Sequence, residues 1–129
     1  MRKAAAIIIR EDKLLTVRSR RGSVFISPGG KYLEGESPAQ CLSRELCEEL
    51  GVEVRTVRHF KDYHEYAVFD KAPLTLEAYL IEYEGTPTPQ SEILEIRWAS
   101  AREIMADEDE FASGLRKMVP DLRIAGYLR

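Results

Sequence analysis

The longest regular pattern in the chain is a recurrence of apolar residues at Ala39, Leu42, Leu46 and Leu50. That three-and-four spacing puts side chains on one face of a helix. Both ends of the segment are marked. Ser37 suits the N-cap, Pro38 the first helical position, and Gln40 stands where it closes a capping box with Ser37. Gly51 is placed to end the helix in a left-handed conformation. Elsewhere the period is two. Residues 74–83 alternate, with Leu74, Leu76, Ala78 and Leu80 on one face and Thr75, Glu77, Tyr79 and Ile81 on the other. Apolar runs at 3–9 and 13–17, separated by Arg10-Glu11-Asp12, predict a β-hairpin. Residues 24–26 predict a brief strand leading into a Pro28-Gly29-Gly30 turn. Segments 52–60, 64–69 and 93–98 read as further strands, with a turn at 70–73 and a proline-bearing loop at 85–90. Residues 101–105 and 110–119 predict helices, the second keeping Phe111, Leu115 and Met118 in register and closing at Pro120. Strands with one long helix between them and another near the C-terminus predict an α/β fold, a mixed sheet covered on both faces.

Size and composition narrow the class. At 129 residues the expectation is one domain, 1–129, with a single real core. No apolar stretch approaches the roughly eighteen residues of a membrane helix. The N-terminus MRKAAAIIIREDK has no small-residue cleavage site and reads as a strand rather than a signal peptide. Cys41 and Cys47 fall on the same predicted helix and do not face each other, which suggests reduced thiols and a cytoplasmic protein. The net charge of −3 is concentrated: residues 30–52 hold five acids against two bases, and the remainder is neutral. A protein built for a nucleic acid polymer would carry a basic patch instead.

The acids are awkwardly placed for stability. Glu45, Glu48 and Glu49 span an arc of roughly 100° beside the apolar stripe. Each close pair of like charges costs about 0.2–0.5 kcal/mol on a helix. They also lie in its last two turns, where the dipole disfavours anions by about 0.3–1 kcal/mol each. Divalent cations would reverse the sign of both penalties. Hard oxygen donors suit Mg²⁺, with Mn²⁺ as substitute, and neither a zinc site nor a di-iron bundle is supported. Pro28-Gly29-Gly30 permits backbone angles that could turn a carbonyl toward the same place.

Residues 30–52, GKYLEGESPAQCLSRELCEELGV, have at every fixed position the spacing of the Nudix box, and the chain resembles the Nudix hydrolases. The resemblance implies an α/β/α sandwich around a mixed sheet. By position, Glu48 and Glu49 resemble the family's metal ligands and Gly29 its carbonyl ligand. Glu45 would be a further ligand or the base that deprotonates the attacking water. Arg44 would orient the carboxylates, and Glu36 would be a structural or outer-shell acid near the metals. Many members add an acid shortly before a tryptophan-bearing strand. Glu92 matches by its distance from Trp98, with Glu95 second.

The implied chemistry is metal-dependent hydrolysis of a diphosphate link in a small-molecule nucleotide or nucleoside diphosphate derivative. The short chain resembles the MutT-like branch, which converts nucleoside triphosphates to monophosphate and pyrophosphate and often cleanses the nucleotide pool. Alternatives are a pyrophosphatase of nucleoside diphosphate sugars or dinucleotides, and a sensor that binds without hydrolysis. The Ser-Gln-Pro-Trp array of NADH pyrophosphatases and the early proline of the ADP-ribose branch are absent. Arg18, Arg20 and Arg21 precede the box and are candidates for touching phosphate or base. His59 and His64 read as packing residues. No membrane partner is expected, and the chain would be a monomer or a homodimer paired through an exposed edge strand.

Overall fold

The computed structural model describes residues 1–67 and 70–129. The chain forms β1 (Arg2–Ile7), β2 (Ile9–Arg10), β3 (Lys13–Ser19), β4 (Gly29–Lys31), α1 (Pro38–Leu50), β5 (Glu53–Ala67), β6 (Ala72–Glu84), β7 (Ile93–Ala99), α2 (Ala101–Ala106) and α3 (Ser113–Ile124). One sheet has the order β4-β1-β6-β5 and the other β2-β3-β7. Only β1 and β6 run parallel among the described pairs, so the larger sheet is mixed.

Alternation along β1 divides the core in two. Ala5 and Ile7 join Leu115, Met118, Val119 and Leu122 of α3, while Ala4 and Ala6 join Leu42, Leu46 and Leu50 of α1. Residues of β6 divide the same way, Ala78 toward α3 and Tyr79 and Ile81 toward α1. Helices therefore cover both faces of the strands, which is the expected α/β/α sandwich.

The helix signals of α1 are realised in full. Ser37 and Gln40 form the reciprocal capping box, Pro38 opens the helix, and Gly51 ends it at φ 68°. One position differs. Ala39 lies exposed in the first turn, and Cys41 takes its place in the buried stripe, its thiol 3.6 Å from the carbonyls of Gly30 and Lys31. Both cysteines are free, Cys41 buried and Cys47 exposed.

The other differences have local causes. The apolar run at 3–9 is shared between two sheets. β1 pairs with β4 and β6, and only Ile9–Arg10 forms the hairpin with β3, across Glu11 and Asp12 at positive φ. Phe25 and Ile26 make single bridges rather than a strand. Pro28-Gly29-Gly30 is no turn: Gly29 enters β4, opposite Ala5. The two strands predicted over 52–69 are one strand, β5, whose register shifts at Val54/Thr56 and His59/Lys61; Val68 and Phe69 lie outside the described residues. Helix α3 starts at Ser113 and runs through Pro120, which removes one hydrogen bond at a cost of about 3 kcal/mol. Burial of Met118, Val119 and Leu122 on either side offsets that loss.

Candidate active site

Four segments meet where α1 faces the β1–β4 ladder. The last two turns of α1 bring Glu45 and Glu49, β4 brings Gly29 and Gly30, β1 brings Lys3, and the loop before β7 brings Glu92. All line one cleft, with Ser19, Arg21 and Lys31 on its rim.

Close approach fixes the glycines. Gly29 has φ 132°, and a Cβ there would lie 2.0 Å from the Ala4 carbonyl oxygen. A Cβ on Gly30 would lie 2.6 Å from both Cδ and Oε1 of Glu45. At Gly29 a side chain would break the β1–β4 pairing, and at Gly30 it would displace the Glu45 carboxylate of α1.

Glu49 is only 5% exposed. It accepts the Gly29 amide at 3.2 Å and lies beside the Glu45 carboxylate. Burial, then Glu45, push its pKa up to about 9, against the lowering effect of the Gly29 amide; the charge of Glu92 adds to the rise. A carboxyl held so strongly in its neutral form lacks a compensating positive charge.

Arg44 organises the neighbouring acids. It grips Glu36 through Nε and Nη2, both at 2.8 Å, and donates to Glu45 at 2.8 Å and to the Lys31 carbonyl at 3.1 Å. Hydrogen bonds from Arg44 and from the Leu33 amide hold Glu36 down at about 2. Both oxygens of Glu36 are thus engaged, and its role here is to anchor Arg44. Glu48, expected as a metal ligand, does not line the cleft: its side chain is 57% exposed and lies 3.9 Å from Arg44.

The remaining sequence candidates separate clearly. Arg18 pairs with Glu95 across β3 and β7, so Glu95 is held on the sheet surface while Glu92 faces the cleft. Arg20 contributes its backbone, whose N–H donates to the Glu92 carbonyl at 3.0 Å, and Arg21 contributes its side chain to the rim. His59 pairs with Asp62 at 2.7 Å and packs edge-on against Tyr79.

One buried acid escaped the sequence reading. Glu77 accepts hydrogen bonds from Arg2 and Tyr32, tying β1 to the residue after β4. Burial pushes its pKa up, but these two partners outweigh burial and leave it lowered. The alternation placed it on the face opposite Leu74, Leu76, Ala78 and Leu80; that face is buried too, against α1, so the acid needs a partner.

Comparison with known proteins shows the family. The NUDIX domain model matches residues 1–122. The chain belongs to the Nudix family. It is a Nudix hydrolase of the pyrophosphohydrolase type. It is 35% identical over 92 residues to an Escherichia coli (strain K12) protein named 8-oxo-dGTP diphosphatase, a match covering 65% of this chain and 68% of that one. The solution structure of the E. coli ORF135 protein superposes with TM-score 0.78 at 28% identity, covering 97% of this chain and 91% of that one. A nudix hydrolase family member from Chromobacterium violaceum superposes with TM-score 0.76 at 31% identity, covering 97% and 78%. Among the described residues no helix is long and apolar enough to cross a membrane.

A divalent cation would meet oxygen donors here rather than a ready-made cage. Among the described residues, no three His, Cys, Asp or Glu side chains already stand as a cage around an ion. The donor chemistry nevertheless fits. Glu45, Glu49 and Glu92 are hard oxygen donors on one cleft, and Glu49 is forced toward its neutral form by burial and by the neighbouring acids Glu45 and Glu92, penalties that a cation would offset.

Proposed function

We propose that this Nudix hydrolase cleaves nucleoside triphosphates to nucleoside monophosphate and pyrophosphate, using Mg²⁺. The observation that carries the reading is the make-up of one cleft, in which Glu45, Glu49 and Glu92 converge opposite Lys3, Arg21 and Lys31. Carboxylates alone would repel a polyphosphate, and cations alone would bind it without turnover; both together suit a metal-bridged polyphosphate.

Glu49, Glu92 and Gly29 would hold the cation, with Glu48 reaching in from the exposed face of α1. When bound, Mg²⁺ supplies neutralisation of the phosphate oxygens and a lowered pKa for water. Glu45 takes the proton of the water that adds to phosphorus as a P–O–P linkage breaks, and Arg44 holds Glu45 in place for that transfer. Lys3, Arg21 and Lys31 orient the chain of phosphates. The name carried by the E. coli relative supports a guanine nucleotide as substrate and a role in clearing damaged nucleotides.

The test is a panel of triphosphates, diphosphate sugars and dinucleotides incubated with Mg²⁺, with pyrophosphate and phosphate release measured. Pyrophosphate from triphosphates is the expected result. Cleavage confined to the other compounds, or binding without turnover, would refute the proposal.

A further inference from the structure

The carboxylate cleft opens into a second cavity of different character. Lys3, Ile26, Gly29 and Gly30 line both. Beyond this border the walls are Ala5, Leu74, Leu76 and Leu115, a surface that suits the face of a flat ring rather than a phosphate. Among the described residues its charged groups are Lys3, at the shared border, and Glu65.

Glu65 projects from β5 with its side chain 14% exposed. Ser113 Oγ–H donates to Oε1 at 2.9 Å, and Lys117 Nζ donates to Oε2 at 3.1 Å. Each oxygen retains a second acceptor position. Gly114 lines the cavity beside them, where a Cβ would stand 3.0 Å from Leu76 Cδ2 and in ordinary contact, 3.5 Å, with Glu65 Oε1.

A carboxylate with one free position on each oxygen accepts two parallel donors, as it does from an arginine fork. Guanine alone of the common bases presents such a pair, its N1–H beside its 2-amino group. Adenine and cytosine set an amino donor beside a ring acceptor, and uracil or thymine offers one N–H between two carbonyls.

We propose that Glu65 is the specificity-determining residue of this enzyme, reading the N1–H and 2-amino edge of a guanine-type base laid in the apolar cavity. The inference rests on the triphosphate reading above. A purely structural Glu65 would only tie α3 to β5 through Ser113 and Lys117.

The test compares dGTP with dITP, which lacks the 2-amino group, on the wild type, Glu65→Gln and Ser113→Ala with Mg²⁺, alongside the Tm of each. The wild type should prefer dGTP by roughly 10–100-fold in kcat/KM, chiefly through KM, the discrimination expected of one bidentate contact. Glu65→Gln should shrink that preference to within about threefold. Ser113→Ala should lower Tm yet keep most of the preference. A wild type indifferent to the 2-amino group, or a Glu65→Gln enzyme that keeps the preference, would overturn the assignment while leaving triphosphate hydrolysis intact. Refusal of every triphosphate, with another diphosphate ester cleaved, would overturn both.

Discussion

Replacing Gly30 by alanine should separate catalysis from stability. The new Cβ would stand 2.6 Å from Cδ and Oε1 of Glu45 and 2.9 Å from Oε2. Ordinary contact between carbon atoms begins near roughly 3.5 Å, so the carboxylate must retreat by about 1 Å. It is the end of a side chain, so it can. A misplacement of that size at the reacting centre costs on the order of 100-fold in rate. The backbone should scarcely notice, because Gly30 is not among the glycines at positive φ. Alanine there also restricts the unfolded chain, a gain of about 0.4–1 kcal/mol that offsets strain on the Arg44–Glu45 bond. Gly29→Ala is the contrast. There φ is 132° and the obstacle, 2.0 Å away, is the Ala4 carbonyl, which has no flexible end to yield. Backbone strain of about 1–3 kcal/mol plus that clash takes a large part of the 5–15 kcal/mol typical of a domain. With roughly 3–5 °C per kcal/mol at this size, Tm should drop by more than about 10 °C. Pyrophosphate release and thermal melts of the two variants provide the comparison. Gly30→Ala turning over within about threefold of wild type would refute the placement of Glu45 in the chemistry. An equal loss of Tm in both variants would show that the ladder, not the carboxylate, absorbs the clash.

Three further outcomes follow from the same cleft. Glu92→Gln should lower turnover by two orders of magnitude or more with Tm little changed, while Glu95→Gln should keep its rate; rates in the reverse order would move the distal acid to Glu95. Glu49 has a folded pKa raised above its unfolded value of about 4.3. In metal-free buffer the folded state therefore retains a proton that the unfolded state loses, and stability falls as pH rises from about 4.3 toward about 9. Glu49→Gln should flatten that slope in EDTA and abolish the Tm gain on adding Mg²⁺; an unchanged slope would contradict the burial argument. Arg44→Ala should cut activity at least tenfold and leave Glu36 without its main partner. Glu36 is lowered to about 2, so its contribution to stability is present above about pH 4.3 and lost as pH falls toward 2. The variant should lack that acid limb in a melt series from pH 5 to pH 2, and an identical profile would count against the Arg44–Glu36 pair.

What was legible in the chain follows the range of the interactions concerned. Glu45 and Glu49 lie on one helix, so their proximity, like the Ser37–Gln40 cap, follows from 3.6 residues per turn and requires nothing distant. Ile8 and Ile9 show the opposite case. An apolar run looks the same whether it stays in one sheet or passes between two, and only the parallel neighbour β6 decides which. Pro120 failed as a stop signal because burial of Met118, Val119 and Leu122 outweighs one missing hydrogen bond. Glu92 was reachable by counting back from Trp98, yet its choice over Glu95 depends on the Arg18–Glu95 pair set by the β3–β7 register. Glu65 was beyond reach altogether. It reads as one more polar residue on a strand until α3, 48 residues later, lays Ser113 against it. The division has a chemical logic. Glu45 and Glu49 are encoded close together, whereas Glu92 and the proposed base-reading Glu65 are brought in from remote segments. Exchanging Glu65 would then alter which nucleotide enters without disturbing the cluster around Glu45 and Glu49.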